Sequence, residues 1–321
     1  MSLDQPRVLV LGAGSIGQRH AGNLVRAGAD VSIADPDAAR AGSVPGATAI
    51  PLDLDRLDGF DGIVIASPTS VHHEHLSAAL ATPARVMVEK PLATSVAAVS
   101  SLVEVNDNRI MVGYNLRLHA PVEAFLRLVD EGVGGTPLRI ALWFGSYLPD
   151  WRPDTDYRQS YSARAELGGG VLLDAIHELD LLVRIAGRDL DVLAATLATL
   201  GGLEIDVEDY AHAILRDPHS GVIATVELDY LSRSYRRGIE FIGSEATLRL
   251  DWSRGELTTE TGETRQIESV ATSLHLSYER EARVFLDWLA GGPPPPCQGS
   301  EGLASVRLAD EIRTNANESI S

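Results

Sequence analysis

Lys90 and His177 are the residues of this sequence whose types and settings best suit proton transfer. Lys90 lies in Glu89-Lys90-Pro91, directly after a short apolar run. A lysine at a strand end that opens into a cleft is partly desolvated, and its ammonium can hydrogen-bond a reacting hydroxyl. The alternative is a solvated Lys-Pro turn, which is common on protein surfaces. The strand-end position favours the chemical role.

His177 follows three glycines on a helical pattern, with Asp174 and Asp180 three residues to either side. This spacing places the three side chains on one helix face, away from the apolar stripe of the same helix. A histidine there can accept a proton while a carboxylate orients it. An exposed polar face with Asp180 paired to Arg184 agrees equally well with the spacing.

Metal binding is the third interpretation of this helix face, because Asp and His are metal ligands, but a third matching ligand is missing. His72, His73 and His75 also resemble a zinc cluster, yet they fall at a predicted helix start beside other loops. Cys297 is the only cysteine, which excludes a disulfide framework or a thiolate metal site within one chain. We therefore expect no metal.

A glycine-rich loop follows the first apolar strand and opens a helix that ends near Gly28. Gly12 would make the tight turn, Gly14 would let backbone approach a pyrophosphate, and Gly17 would let helix pack closely on strand. The helix N-terminus favours phosphate through its free N–H groups and its dipole. The pattern predicts a dinucleotide site, with contacts from Gly12, Gly14, Ser15, Ile16 and Gly17.

Asp35 ends the second predicted strand, 18 residues after Gly17. A carboxylate at this place accepts hydrogen bonds from the adenosine ribose hydroxyls and disfavours a 2′-phosphate. NAD is therefore favoured over NADP, although Arg40 lies close enough in sequence to leave room for NADP. The alternative is a turn aspartate before Pro36.

The first part of the chain alternates short apolar strands with helical segments, which predicts a parallel, doubly wound Rossmann sheet. The predicted strands are Val8–Leu11, Val31–Ala34, Ala47–Ile50, Ile63–Ala66, Val86–Val88 and Ile110–Gly113. Ligands bind beyond the carboxyl ends of such strands. The cofactor rim is therefore expected to include Ser67, Thr69, His72, Glu89 and Asn115. We assign residues 1–118 to this NAD(P)-binding domain.

Residues 119–321 predict an α+β domain for substrate binding and oligomerisation, with a mostly antiparallel sheet. The strand-like runs are Arg139–Phe144, Tyr210–Arg216, Val222–Tyr230, Arg237–Ile242 and Thr247–Leu250. Helical patterns predict four helices in this part of the chain. One follows Pro121, and the others cover Leu172 to Ala186, Ser277 to Leu289 and about Leu303 to Ile312.

The composition of the chain indicates which classes of partner it is unsuited to bind. The 321 residues carry a net charge of -18 with 45% apolar residues, as in an ordinary globular protein. Nucleic acid and anionic membranes would be repelled, so any phosphate must be bound locally by backbone donors. The first apolar run is too short for a signal peptide or a spanning helix, and we expect a cytoplasmic protein.

Four motifs in register resemble the Gfo/Idh/MocA family of glucose-fructose oxidoreductases and inositol dehydrogenases. They are GAGSIGQRH at 12–20, EKP at 89–91, GYNLRLHAP at 113–121 and GGGVLLDAIHELD at 168–180. The resemblance covers essentially the whole chain. It implies an open-faced sheet in the second domain, which often serves as an oligomer interface, so we expect a homodimer or homotetramer.

The resemblance also implies residue roles. Lys90 matches the EKP lysine, His177 the proposed general acid/base, and Asp174 the carboxylate before it. The Asp174–His177 spacing is one residue shorter than the commonest family pattern, which changes where the histidine points. The segment 147–170 resembles a branch linked to surface-polysaccharide and sugar-nucleotide metabolism. The expected substrate contacts are Lys90, Arg117, Trp151, Arg152, Tyr157, Arg158 and His177; Trp151 as a packing anchor is the alternative.

The sequence thus predicts an NAD(P)-dependent oxidoreductase that transfers a hydride between nicotinamide and a CH–OH group of a sugar, polyol or sugar nucleotide. One alternative is a non-catalytic NAD-binding sensor or regulatory protein with the same fold. Another is a reductase of imines or other unsaturated compounds.

Overall fold

The computed structural model describes residues 5–151 and 156–316. Contacts divide the chain into two compact units, each described by itself. The first runs to Leu118 and also contains Leu274–Val306, and the second contains His119–Ser273 and continues from Arg307. The segment 274–306, which the sequence-based division at residue 118 gave to the second domain, therefore packs in the first unit.

The first unit is built on a six-stranded parallel sheet, as predicted. Its strands are β1 (Arg7–Leu11), β2 (Asp30–Ala34), β3 (Thr48–Ile50), β4 (Gly62–Ile65), β5 (Arg85–Glu89) and β6 (Ile110–Gly113). Their order is β3-β2-β1-β4-β5-β6, so the sequence of neighbours reverses at β1. In a doubly wound sheet, ligands bind at this reversal, beyond the carboxyl ends of the strands.

Helices cover the sheet of the first unit. They are α1 (Ser15–Arg26), α2 (Ala38–Ala41), α3 (His72–Leu80), α4 (Val96–Asn106), α8 (His275–Leu289) and the beginning of α9 (Gly299–Ala316). Helix α8 packs on α1, and its Ala282 and Phe285 join Val8, Val10 and Leu24 in one core. Gly62, the first residue of β4, lets the Phe285 ring lie against the strand, because a side chain at this position would meet that ring.

The second unit contains an eight-stranded, mostly antiparallel sheet. Its strands are β7 (Pro137–Gly145), β8 (Asp191–Ala198), β9 (Tyr210–Arg216), β10 (Ile223–Asp229), β11 (Arg236–Gly243), β12 (Thr247–Asp251), β13 (Glu256–Glu260) and β14 (Arg265–Ser269). The order is β14-β13-β12-β11-β7-β10-β9-β8, with only β7 and β10 parallel. Sequence patterns missed β8, β13 and β14. The five residues of β14 are all exposed, so apolar alternation could not reveal this strand.

The helices of the second unit are α5 (Ala120–Asp130), α6 (Val171–Asp174), α7 (Ile176–Ala186) and the end of α9. The predicted continuous helix from Leu172 to Ala186 is wrong, because the backbone turns at Ala175 (φ -93°, ψ 29°) and starts a new helix. Helix α7 then packs its apolar side on the sheet. Among the described residues, 5–151 and 156–316, no helix has both the length and the apolar character needed to cross a membrane.

Candidate active site

The glycine loop of the first unit has the shape that a dinucleotide needs. Gly12 has a φ of 102°, and a side chain on it would lie 2.6 Å from the Ala66 carbonyl oxygen. A side chain on Gly17 would overlap the Gly12 carbonyl oxygen, so α1 packs directly on the turn. By contrast, a side chain on Gly14 would meet nothing within 4 Å. The open side of Gly14 is therefore where a ligand can approach the backbone.

Helix α1 begins at Ser15 with Gly14 as its N-cap, so no side chain caps the helix from this position. Its first turn also contains no acidic residue. The N–H groups of a helix's first turn have no partners within the helix, and they bind anions well. This end of α1 fits the pyrophosphate of a dinucleotide, and the contacts from Ser15 and Ile16 stay predictions.

Asp35 holds the glycine loop from the neighbouring strand. Its carboxylate accepts the N–H of Ala13 at 2.6 Å and the N–H of Asp37 at 2.8 Å. The second bond closes the turn through Pro36 that was the alternative interpretation of this aspartate. A carboxylate has further lone pairs, so both bonds are compatible with the predicted ribose contact.

The Glu89-Lys90-Pro91 turn ends β5 with a cis peptide bond between Lys90 and Pro91. Glu89 is buried and accepts the Lys90 backbone N–H at 3.1 Å. Its other oxygen accepts from His20 Nε2 at 2.5 Å. Lys90 itself is half-buried, which disagrees with a fully solvated Lys-Pro turn. The Glu89 carboxylate thus fixes the backbone that presents Lys90.

Lysine usage is a signal that the sequence interpretation missed. Lys90 is the only lysine among 27 lysine and arginine residues. Arginine is a planar fork that stays charged, whereas the lysine ammonium is a compact point charge with three donors. Lys90 is therefore the only side chain of this sequence that supplies a compact ammonium, and its chemical role stays a prediction.

His72 connects the two loops beside this turn. Its ring nitrogens lie 2.9 Å from the Ser67 carbonyl oxygen and 2.8 Å from the Pro91 carbonyl oxygen. Burial lowers the pKa of His72 and that of His75, whose Nδ1 lies 3.0 Å from Ser67 Oγ. Because both ring nitrogens of His72 face backbone carbonyl oxygens, this side chain links the loop at Ser67 to the loop at Pro91. Thr69 is buried in the same segment. A zinc site built on His72 does not fit these contacts.

Asn115 and Arg117 lie buried in a 3-10 turn after β6. Asn115 Nδ2 donates to Ser277 Oγ at 2.8 Å, which ties the turn to α8. Arg117 donates to the Pro296 carbonyl oxygen at 2.6 Å and pairs with Glu301 at 3.3 Å. Both side chains therefore hold parts of the first unit together, and their predicted ligand contacts stay predictions.

In the second unit, Asp174 and His177 stand on different helices because of the turn at Ala175. The Asp174 carboxylate accepts from Ser162 Oγ at 2.6 Å and from Tyr230 Oη at 3.1 Å. Burial, together with the nearby Asp174, raises the pKa of Tyr230 well above its usual value, so Tyr230 stays a donor. Asp174 is thus held by two hydroxyl groups.

The exposed polar face proposed as an alternative for this helix is wrong, because His177 is 7% exposed and Asp180 1% exposed. Arg184, the suggested partner of Asp180, instead binds Asp130 at 2.8 Å. A buried histidine and carboxylate on one helix are costly unless they have partners or a function. Burial thus excludes the exposed face, and the chemical role of His177 stays a prediction.

Glu178, beside His177, was not singled out by its sequence pattern. It forms a bidentate ion pair with Arg237 of β11, at 2.6 Å and 3.1 Å, and both side chains are buried. The Arg237 guanidinium also lies over the Phe144 and Trp252 rings. This pair fastens α7, and with it His177, to the sheet.

The segment between β7 and α6 carries the other expected substrate contacts. Trp151 packs edge-on against Phe144 and Tyr230, as a packing anchor would. Arg158 pairs with Asp156 and Glu204, and Tyr157 Oη accepts the Glu204 N–H. Arg152 lies outside the described residues. The ligand contacts of Trp151, Tyr157 and Arg158 stay predictions.

Gly14→Ala should weaken NAD binding without destabilising the fold. Its backbone (φ -66°, ψ -177°) suits any residue, and the new methyl group meets no protein atom. We expect unfolding free energy to change by about 0.5 kcal/mol or less, and NAD affinity to fall about tenfold or more by calorimetry, because the methyl group occupies the ligand's approach. Gly17→Ala, by contrast, should destabilise the fold. NAD affinity equal to wild type in Gly14→Ala would contradict this site.

Two family models match the chain. Residues 6–114 match an oxidoreductase family with an NAD-binding Rossmann fold, and residues 122–249 match the GFO/IDH/MocA C-terminal domain. The chain belongs to the GFO/IDH/MocA oxidoreductase family. The order of the two matched regions agrees with the order of the two sheets along the chain.

Proteins similar to this GFO/IDH/MocA oxidoreductase include dehydrogenases and reductases that are named for sugars and polyols. Myo-inositol 2-dehydrogenase of Thermotoga maritima is 26% identical, with 97% of this chain and 96% of the relative aligned. A dTDP-3,4-didehydro-2,6-dideoxy-alpha-D-glucose 3-reductase of Streptomyces antibioticus is 29% identical over 75% of this chain and 74% of the relative. A levoglucosan dehydrogenase structure with NADH and L-sorbose superposes with a TM-score of 0.84 at 20% identity, covering 98% of both chains.

This protein therefore belongs to an oxidoreductase family with an NAD-binding Rossmann fold, and the relatives named above are a polyol dehydrogenase and a sugar-nucleotide reductase. The glycine loop and uncapped α1 N-terminus of this chain fit NAD.

Proposed function

We propose that this protein is an NAD(H)-dependent dehydrogenase of a secondary hydroxyl on a sugar or cyclic polyol, with Lys90 and His177 as its proton-handling residues. The observation that carries the proposal is the half-buried Lys90 after β5, on the same sheet edge as the open side of Gly14 after β1. In a doubly wound sheet, this edge takes the ligand. The 12–17 loop and Asp35 would hold NAD, which supplies the hydride acceptor.

Three residues of the chain have the remaining roles in the proposed reaction. The Lys90 ammonium holds the substrate oxygen by a hydrogen bond and stabilises negative charge on it while the C–H bond breaks. His177 takes the hydroxyl proton, so that the alcohol leaves as a carbonyl compound and the hydride leaves to the cofactor. Asp174, held by Ser162 and Tyr230, positions the turn at Ala175 from which α7 and His177 begin.

We infer the oligomeric state, the location and the kinds of partner from the second sheet, the family resemblance and the composition. The eight-stranded sheet of the second unit corresponds to the sheet that the family resemblance links to oligomerisation, and we infer a homodimer or homotetramer on that basis. We infer a cytoplasmic location and a sugar-like substrate contacted by the segment 147–170. The net charge of -18 disfavours nucleic acid and anionic membranes as partners.

Turnover of the purified protein tests this function. A panel of sugars, polyols and sugar nucleotides is offered with NAD and with NADP, and reduced nicotinamide is followed by absorbance. We expect oxidation of at least one cyclic polyol or sugar with NAD. Tight NAD binding without turnover on the whole panel would favour a sensor, and reduction of imines without alcohol oxidation would favour the unsaturated-substrate reductase.

NAD should bind more tightly than NADP, by about tenfold or more, because the Asp35 carboxylate lies where the 2′-phosphate would add a like charge. Calorimetric titration of both cofactors measures the ratio. Asp35→Asn is the matched variant: it removes the charge while its amide oxygen can still accept the Ala13 N–H. The Asp37 N–H loses its acceptor in this variant, so its unfolding free energy is measured as well. The ratio should fall in Asp35→Asn. Equal affinities in wild type would contradict the assignment of Asp35.

A further inference from the structure

Glu281 is a fully buried carboxyl group on α8 for which the described residues provide no hydrogen-bond partner. It is 0% exposed, and neither of its oxygens has a donor within reach. It faces Glu89 and His20, which are also buried. One oxygen from each glutamate and one His20 nitrogen all lie within 4.8 Å of one another. Two carboxyl groups and one imidazole therefore share a single buried site, and Glu89 connects it to the Lys90 turn.

The arginines of the elements that α8 packs against have contacts outside this site, and Lys90 follows Glu89 directly in the chain. Helix α8 packs against α1 and the 3-10 turn at 115–118, which contribute Arg19, His20, Arg26 and Arg117. The Arg19 guanidinium lies 4.6 Å from the centre of the Tyr278 ring, and Arg26 donates to Asn23. Arg117 pairs with Glu301. On α8 itself, Arg280 donates to the Leu118 carbonyl oxygen, and the Tyr278 ring lies edge-on to His20.

The geometry favours protons over a metal ion as the source of positive charge. His20 Nε2 lies 2.5 Å from Glu89 Oε1, which is a short hydrogen bond. Two ligand atoms bound to one tetrahedral zinc ion at its usual bond lengths are about 3.3 Å apart or more. Because Glu89 also accepts the Lys90 backbone N–H, a carboxylate at Glu89 with the proton on His20 Nε2 fits both contacts. A second, ionised carboxylate beside this pair would be buried without compensation.

We infer that Glu281 is a neutral carboxylic acid in the folded protein at neutral pH. Its O–H is a donor that the ionised form lacks, and with His20 it holds Glu89, whose carboxylate lies within 4.8 Å and fixes the Lys90 turn. Burial and the charge of Glu89 raise the pKa of Glu281 well above its usual value, in agreement. Glu281 is thus a positioning residue that acts through Glu89, and its importance for turnover rests on the proposed function of Lys90.

Infrared spectroscopy tests the protonation state directly. A protonated carboxyl group has a C=O stretch above the amide I band, and a buried one keeps it at neutral pH. We expect this band in wild type and in Glu279→Gln, a control on the same helix whose side chain is 32% exposed. Glu281→Gln should lack it. Absence of the band from wild type, or a stoichiometric divalent metal found in wild type and lost in Glu281→Gln, would overturn the inference.

Stability against pH gives a second, independent readout. Between the unfolded pKa of about 4.3 and the raised native pKa, the native state holds one proton more than the unfolded chain. The contribution of Glu281 to stability therefore falls as pH rises, and this proton changes the unfolding equilibrium constant about tenfold per pH unit. The wild-type constant divided by that of Glu281→Gln should rise by this factor per pH unit between about pH 5 and 7, and Glu279→Gln should show no such trend. A flat ratio for Glu281→Gln would overturn the inference.

The single lysine provides a probe of the positioning role. Reductive methylation with ¹³C-formaldehyde labels Lys90 and the terminal amine, and the Lys90 methyl resonance reports on the turn. Glu281→Gln, which keeps a neutral group of the same shape, should leave this resonance in place, whereas Glu281→Ala should shift it. An unshifted resonance in Glu281→Ala would overturn the positioning role. None of these readouts needs turnover, so a failure of the proposed function would be seen separately.

Discussion

Lys90→Met is expected to lower kcat by about a hundredfold to a thousandfold while the fold and most of the NAD affinity remain. The pyrophosphate is assigned to the 12–17 loop and the ribose to Asp35, so the cofactor contacts do not depend on this side chain. What disappears is a compact donor aimed at the oxygen on which charge develops. Such a contact is made mainly in the transition state, and its loss therefore falls on kcat rather than on KM.

Matched variants make the result specific. Lys90→Arg keeps a positive charge but replaces the point charge by a planar fork, and we expect most of the activity to be lost. Arg56→Met removes an equally flexible cation whose side chain is 85% exposed, and its rate should stay at the wild-type value. Steady-state kinetics on a confirmed substrate and calorimetry with NAD measure the two effects. A wild-type rate for Lys90→Met would refute the catalytic role of the turn.

Local sequence patterns were enough to predict the first sheet. A buried parallel strand is a short apolar run, and each turn that follows it has its own residue chemistry, so six strands and the glycine loop could be located. Gly12, Gly14 and Gly17 were assigned different tasks, and the space around each one agrees with its task. These features depend on residues that are close together in sequence.

The features that sequence patterns missed depend on distant partners. Glu281 is separated from Glu89 by 192 residues, and nothing in the α8 pattern marks it as different from an exposed glutamate. Glu178 and Arg237 likewise form their ion pair although they are 59 residues apart in the sequence. The turn at Ala175 was missed because the apolar stripe continues through it at helical spacing, although the backbone does not. Periodicity describes which face is buried, and it does not detect a single residue that leaves the helical conformation.

Glu178→Gln should lower the free energy of unfolding by about 3–5 kcal/mol, because it leaves the buried Arg237 guanidinium without its counter-charge. The pair is bidentate and both side chains are buried, so water cannot replace the lost partner. Chemical denaturation followed by tryptophan fluorescence measures the change, since Trp252 lies against Arg237. Activity should also fall, because α7 carries His177 on the residue before Glu178.

A double variant and a surface control complete this test. Glu178→Gln combined with Arg237→Met removes both charges, and it should be less destabilising than Glu178→Gln alone because no unpaired ion remains in the core. Arg184→Ala breaks the Arg184–Asp130 pair of the same helix, but that pair is exposed and should contribute about 1 kcal/mol or less. If Glu178→Gln cost no more than Arg184→Ala, the buried pair would not be what fastens α7 to the sheet, and the position of His177 would need another source of support.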